Sequence, residues 1–134
     1  MKINEIMVTK LESIEPNAPV YDAIEKMVDR RIRSILIRPK DEKDVYGIVT
    51  ARDIVFKVIG NNLDPHKVRI GEIASKPVIS IDKDMDTDHV ISLMNKFNIA
   101  RVFVSEGKEI IGVASLLDII AAALIERARG GHIA

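Results

Sequence analysis

Apolar residues recur with a helical spacing in two stretches of the chain. In the first stretch they fall at positions i, i+3, i+4, i+7 and i+8, a pattern that predicts one apolar stripe on a helix: Val20, Ala23, Ile24, Met27 and Val28. In the second stretch Val90, Ile91 and Met94 form the stripe, and Asp86 is placed to cap the helix at its N-terminus. We therefore expect two amphipathic helices of similar length.

Short runs rich in β-branched residues lie between and around these helices. The runs 34–37 and 101–104 predict strands, and each is followed by a polar turn and a second strand, at 45–50 and 110–115. Short extended stretches near residues 10–14 and 77–81 precede the helices. A last helix covers 52–59 and ends at Gly60, and its counterpart covers 116–129 and ends at Gly130. The predicted order is β-α-β-β-α, twice.

The chain is an internal repeat. Ser13, Met27 and Ile32 recur as Ser80, Met94 and Ile99, at an offset of 67 residues, and the segment 45–54 recurs at an offset of 65. The two-residue difference falls in a polar loop, where a change of length is tolerated. We predict an α/β (α+β) fold in which two copies pack sheet to sheet with pseudo-two-fold symmetry. The predicted boundaries are 1–65 for the first repeat, 66–128 for the second and 129–134 for a short polar tail.

Composition and charge exclude several classes of protein. The 134 residues include 22 Ile and 13 Val, which favours strands in the core. Lys plus Arg and Asp plus Glu number 20 each, so a nucleic acid is not expected as the main partner. Cys is absent, which excludes disulfides and thiolate chemistry. No apolar run reaches the ~18 residues of a membrane span, and residues 1–5 do not resemble a signal peptide. We expect a cytoplasmic protein with no membrane partner.

A hydroxyl and a carboxylate stand three residues apart at the end of the second strand of each repeat. Thr50 and Asp53 form the first pair, and Ser115 and Asp118 form the second. Residues at i and i+3 share a helix face, so each carboxylate is placed to accept the two vicinal hydroxyls of a ribose. The alternative is that each pair only caps the following helix, because Ser, Thr and Asp are favoured there.

The same segments resemble the paired signature of CBS domains. The first signature is G-I-V-T-A-R-D-I (47–54), and the second is G-V-A-S-L-L-D-I (112–119). The opening motifs I-x-x-I-M (3–7) and I-x-x-I (70–73) also match. The resemblance covers roughly residues 3–126 and implies a stand-alone tandem pair, a Bateman module. Such a module binds adenosine-type ligands (AMP, ADP, ATP or S-adenosyl compounds) in the clefts between its repeats. It also implies a homodimer and an unknown client protein.

The resemblance also implies two sets of ligand-binding residues. The first site comprises Thr50, Arg52, Asp53, Val78, Ile79 and Ile99. The second comprises Ser115, Asp118, Leu11, Ile32, Arg33 and Arg101. In each site the apolar residues are expected to lie against the adenine, and the arginines, through their bidentate geometry, against phosphate. Leu117 stands where the first signature has Arg52, so the second site is expected to bind phosphate less well.

No catalytic or metal-binding constellation accompanies these motifs. The acids at 82, 84, 86 and 88 lack the glycine and the final glutamate of a calcium loop, and the three histidines have no metal-ligand spacing. We therefore expect a protein that is not an enzyme, requires no cofactor and holds an adenine nucleotide or S-adenosylmethionine as a regulatory ligand. The alternative is a structural oligomerisation module with vestigial clefts.

Overall fold

The structure is a computed structural model that describes residues 1–128 and residue 130. The chain divides into two compact units. The first unit is Glu12–Val78, and the second unit combines Met1–Leu11 with the chain from Ile79 onward. Apart from Gly130, the predicted polar tail 129–134 lies outside the described residues.

The first unit contains a three-stranded sheet in the order β1-β2-β3. Strand β1 pairs in parallel with β2, and β2 pairs antiparallel with β3, with Ser34 opposite Thr50. The elements, in chain order, are β1 (Ser13–Ile14), α1 (Val20–Arg30), β2 (Ser34–Ile37), β3 (Gly47–Thr50), α2 (Ala51–Asp53), a π-helix (Ile54–Val58), a 3-10 helix (Ile59–Asn61) and α3 (Ile70–Ile73).

The second unit repeats this topology. Its sheet has the order β4-β5-β6, with β4 parallel to β5 and β5 antiparallel to β6, and Arg101 lies opposite Ser115. The elements are a 3-10 helix (Ile3–Glu5), β4 (Ser80–Asp82), α4 (Thr87–Phe97), β5 (Arg101–Glu106), β6 (Glu109–Ser115) and α5 (Leu116–Ala128). The predicted mixed α/β class, built from two β-α-β-β-α copies, is confirmed.

Each unit has its own hydrophobic core. In α1 the side chains of Val20, Ala23 and Met27 are buried, and in α4 those of Val90 and Met94 are buried. Val28 and Ile91 were predicted on these stripes but are exposed. At 100° per residue, Val28 lies about 80° from Val20 and Ile91 about 100° from Val90, which places both at the edge of the buried face.

The opening segment of each repeat joins the core of the other. Ile3 is fully buried in the core of the second unit, and Ile70 and Ile73 are buried in that of the first. Main-chain hydrogen bonds hold these segments, because Val8 pairs with Val113 and Ser75 pairs with Ile48. The compact units therefore do not follow the predicted repeat boundary between residues 65 and 66.

The helices that follow the two signatures differ. Helix α5 is a regular helix of 13 residues, whereas α2 continues as π and 3-10 turns. The prediction that Gly60 ends the first of them is wrong: the helical segment runs to Asn61, and Asn62 adopts the left-handed conformation (φ 57°) that ends it. In the described part of the chain, no helix combines the length and apolar character needed to cross a membrane.

Candidate functional site

The first signature forms a capping box where β3 meets α2. Thr50 is the N-cap, and its hydroxyl oxygen accepts a hydrogen bond from the Asp53 N–H at 3.2 Å. In return, Asp53 Oδ2 accepts from the Thr50 N–H at 2.9 Å and from the Thr50 hydroxyl at 3.0 Å. These reciprocal hydrogen bonds fix the hydroxyl and the carboxylate on one face.

The second signature builds the same box where β6 meets α5. Asp118 Oδ2 accepts from the Ser115 N–H at 2.8 Å and from the Ser115 hydroxyl at 2.9 Å. The Asp118 N–H donates to the Ser115 hydroxyl at 3.2 Å. Corresponding distances in the two signatures agree to about 0.1 Å, so each pair caps the helix that follows it, and ribose binding by its carboxylate stays a prediction.

The remaining oxygen of Asp53 is engaged by Lys57, one helical turn later. Lys57 Nζ lies 3.1 Å from Asp53 Oδ1 and also donates a hydrogen bond to the Ile73 carbonyl at 3.0 Å. Partial burial by itself raises the pKa of Asp53, but hydrogen bonds from the Thr50 N–H, Lys57 and the Thr50 hydroxyl lower the pKa below its ordinary value. Sequence reasoning missed Lys57, although the i, i+4 spacing of acid and lysine is a signal that would have found it.

The arginine of the first signature is exposed and stacks on its own helix. The Arg52 guanidinium lies 5.1 Å from the centroid of the Phe56 ring, an arrangement that restrains its side chain by a cation–π contact. In the second signature the corresponding residues are Leu117 and Ala121.

One arginine from the neighbouring strand region flanks each signature. The Arg33 carbonyl accepts from the Ala51 N–H at 2.9 Å, so its backbone adjoins the first signature, although the residue was assigned to the second site. Arg101 opens β5 directly opposite Ser115, beside the second signature of its own unit.

The predicted adenine-facing residues are spread over both units. Ile32 and Ile99 are partly buried against the cores of the first and second units, respectively. Val78 is half-buried, and its N–H donates to the Tyr46 carbonyl at 3.2 Å. Ile79 is exposed and Leu11 is half-buried. Their contact with a ligand stays a prediction.

Glycine opens both signatures because another segment passes close by. A Cβ at Gly47 would lie 3.0 Å from the Ser75 carbonyl oxygen and 2.9 Å from Lys76 Cγ. A Cβ at Gly112 would lie 2.5 Å from Met7 Sδ. The crossing segments are the same ones that join each core from the other repeat.

Known proteins resemble the chain in both sequence and fold. It is 29% identical over 118 residues to the uncharacterised protein YlbB of Bacillus subtilis, covering 88% of this chain and 79% of that protein. It is 32% identical over 107 residues to the uncharacterised protein MK0525 of Methanopyrus kandleri, covering 77% of this chain but 54% of the relative. The chain thus spans only about half the length of the second relative.

Two solved structures share the fold over nearly the whole chain. A hexameric CBS-CP12 protein from bloom-forming cyanobacteria matches with a TM-score of 0.75 at 29% identity, over 98% of this chain and 88% of that one. A putative signal-transduction protein with CBS domains from Burkholderia ambifaria MC40-6 matches with a TM-score of 0.76 at 26% identity, over 95% and 96%.

The sequence model of the CBS domain matches the chain twice, at residues 3–60 and 70–125. Each match contains one opening motif and one capped signature. The two matches also account for the repeated sheet topology of the two units. The chain therefore belongs to the CBS domain family and carries two CBS domains.

Proposed function

We propose that the chain is a regulatory module that binds an adenosine-type ligand at its signatures and modulates a partner protein in response. Tandem CBS domains are generally regulatory and ligand-binding. The ligand classes proposed are AMP, ADP, ATP and S-adenosyl compounds. The observation that carries the proposal is the capped carboxylate, which occurs in both domains with the same geometry.

The geometry suits a ribose for a physical reason. Each cap uses Oδ2 of the aspartate and fixes the carboxylate at a strand end, where both carboxylates remain partly accessible. An ionised carboxylate has about four acceptor positions and the cap takes two, so capacity remains for ribose hydroxyls at both aspartates, with Lys57 sharing Oδ1 of Asp53. A carboxylate held in advance loses little side-chain entropy when the ligand binds.

The ligand acts in this proposal as a signal and undergoes no reaction. The chain would then be a sensor, not an enzyme, and would need no resident cofactor. It would act in the cytoplasm, where adenine nucleotides and S-adenosyl compounds are made and consumed. Sensing abundant metabolites calls for moderate affinity. A nucleotide such as AMP has about 23 heavy atoms, and at about −0.3 kcal/mol per atom its Kd is near 10 µM.

Isothermal calorimetry against AMP, ADP, ATP, S-adenosylmethionine and adenosine tests the proposal. We expect at least one of them to bind with a Kd near 10 µM and to raise the Tm of the chain. Guanosine monophosphate is the matched control for the base. If no adenosine compound bound below about 1 mM, the sensing of adenosine compounds would be excluded and the structural module described next would be favoured.

The second candidate is a structural module whose task is oligomerisation. Helix α5 favours it, because none of its residues is buried and the side chains of Leu117, Ile120 and Leu124 are 73%, 62% and 68% exposed. A solved relative, the CBS-CP12 protein, is described as hexameric. Assembly without any effect of adenosine compounds would favour this candidate; assembly as a homodimer together with ligand binding would agree with the first.

A further inference from the structure

The two signatures are alike in shape and different in charge. One arginine from the strand region flanks each of them, Arg33 in the first unit and Arg101 in the second. The helical segment after the first signature adds Arg52 and Lys57, whereas α5 carries Leu117 and Ala122 at the corresponding positions. The first signature therefore has two more positive charges than the second.

Lys57 is held beside the carboxylate before any ligand arrives. It contacts Asp53 Oδ1 at 3.1 Å and the Ile73 carbonyl at 3.0 Å, so two acceptors fix its ammonium group. Arg52 is restrained in turn by the Phe56 ring. The Lys57 side chain is about half exposed and Arg52 is exposed, so both cations remain accessible to a ligand anion.

The second unit shows what the signature is like without these cations. Its capping box has the same three hydrogen bonds, with distances within about 0.1 Å of those in the first. Lys57 is therefore not needed to hold the carboxylate in place. Its effect is electrostatic: it neutralises Asp53 and contributes to the lowered pKa of that carboxyl group.

We propose that the two signatures divide adenosine compounds by charge. The first takes phosphorylated adenosine, through Lys57 and Arg52, and the second takes an uncharged or cationic adenosine compound beside Asp118. This inference rests on the proposed function and adds Lys57 as a residue that determines specificity. An uncharged or cationic nucleoside avoids the repulsion that a phosphate meets from a carboxylate without a helical counter-ion.

The expected size of the effect follows from Coulomb's law for an assumed separation of charge and phosphate. A single charge about 7 Å from a phosphate dianion, partly screened at physiological salt, changes affinity by about fivefold. The measured quantity is the ratio of the Kd of adenosine to the Kd of AMP, which cancels contributions common to both ligands. Each signature is read separately by calorimetry, the first in an Asp118→Ala background and the second in an Asp53→Ala background.

In the Asp118→Ala background we expect AMP to bind more tightly than adenosine. Lys57→Met keeps the length of the side chain and should lower that preference about fivefold, whereas Lys57→Arg should retain it. In the Asp53→Ala background we expect no preference for AMP, and Ala122→Lys should create one of about fivefold. Arg52→Leu in the first signature and Leu117→Arg in the second make the matching exchange at the other position where the two signatures differ in charge. These two variants replace the Lys57 variants if circular dichroism shows that a Lys57 variant does not fold.

Two results would overturn the charge division while leaving adenosine binding intact: equal preferences in the two backgrounds, or a preference for AMP that Lys57→Met and Arg52→Leu leave unchanged. A chain that binds neither AMP, adenosine nor S-adenosylmethionine would instead overturn the proposed function, and the charge division would fall with it.

Discussion

At the scale of single residues, each signature aspartate uses one carboxylate oxygen for the helix cap and has a second oxygen that the cap does not use. Oδ2 completes the helix cap in both signatures. Oδ1 of Asp53 meets Lys57, whereas α5 has Ala122 at the position that corresponds to Lys57. Capping and ligand binding are therefore compatible roles for the same side chain.

Replacing Asp53 by alanine should affect ligand binding far more than it affects the stability of the fold. Asp53→Ala removes up to two hydrogen bonds from ribose hydroxyls to a charged acceptor, each worth about 1.5–3 kcal/mol, so a 10 µM site should weaken to millimolar or beyond. The fold should lose only a cap, about 1 kcal/mol. Asp118→Ala should weaken its own site equally, from a poorer starting affinity for phosphorylated ligands. Calorimetry and urea denaturation of each variant measure both effects.

Asp53→Asn is the matched control, because an amide oxygen still accepts the cap hydrogen bonds. It should melt within a few degrees of the parent while binding more weakly. If Asp53→Ala bound AMP as well as the parent, or failed to fold, the carboxylate would be a structural cap and the ribose assignment would be wrong.

A second prediction at the scale of single residues concerns the stability of the fold at low pH. The pKa of Asp44 is lowered to about 2, first by the Lys40 N–H and then by the Lys76 ammonium, which lies 2.9 Å from both carboxylate oxygens. Its ordinary value in an unfolded chain is about 3.9. Because the folded pKa is the lower one, Asp44 stabilises the fold above about pH 4, and this stabilisation is lost as the pH falls towards 2.

Urea denaturation of the parent and of Asp44→Asn between pH 2 and 7 measures this contribution. The difference in unfolding free energy should be constant above pH 4 and should shrink as the pH falls to 2. A difference that did not change with pH would show that Asp44 does not titrate in this range.

At the scale of elements, each signature strand depends on a glycine beneath a crossing segment. The neighbour of Gly47 is a main-chain oxygen, that of Ser75, together with the Lys76 side chain. The neighbour of Gly112 is the flexible side chain of Met7. The contacts differ in how far each neighbour is able to move.

Gly47→Ala should therefore destabilise the fold more than Gly112→Ala. Overpacking against a fixed backbone costs about 1–3 kcal/mol, whereas a methionine that changes rotamer reduces the cost to about 1 kcal/mol or less. Urea denaturation of the two variants gives the comparison, each serving as the control for the other. The opposite order would mean that the segment containing Ser75 is less firmly held than its main-chain hydrogen bonds to Ile48 indicate.

At the scale of the whole molecule, α5 exposes several large apolar side chains to solvent, and none of its residues is buried. Among the apolar residues of the helical segments that follow the two signatures, Val55, Ile59, Ile120 and Leu124 are exposed whereas Val58 is buried. Exposed side chains of this size, grouped on one helix, are typical of an interaction surface. The proposed occupant is a second copy of the chain, related by two-fold symmetry.

Light scattering at about 50 µM should give twice the mass of one chain, since this concentration lies well above a dimer Kd of about 1 µM. Leu124→Glu should shift the mass towards that of one chain, because dimerisation would bury a charge without a partner. Val45→Glu, at an exposed residue before β3, is the control and should leave the mass unchanged. A parent chain that was monomeric at 50 µM would exclude the dimer.

The sequence by itself determined the repeat, the β-α-β-β-α order and the capped signatures. These depend on local rules: the apolar period along α1 and α4, the β-branched strands and the three-residue spacing of Thr50 and Asp53. The prediction for Gly60 was wrong because a glycine in a helical pattern does not distinguish a helix terminus from a continuing 3-10 turn, where the Val55 carbonyl oxygen would lie 3.0 Å from a Cβ.

Only the tertiary structure decided which segments share a core and which charges share a signature. The opening motifs mark Ile3 and Ile70 as apolar positions, but the sequence does not show which of the two cores each residue joins. Each joins the core of the other repeat because the strands that pair with Val8 and Ser75 hold its segment there. The contact of Lys57 with Asp53 could have been predicted from their i, i+4 spacing. Its second contact, with the Ile73 carbonyl, exists only because α3 joins the first core. Local chemistry was readable along the chain, whereas long-range pairing was set by the packing of distant segments.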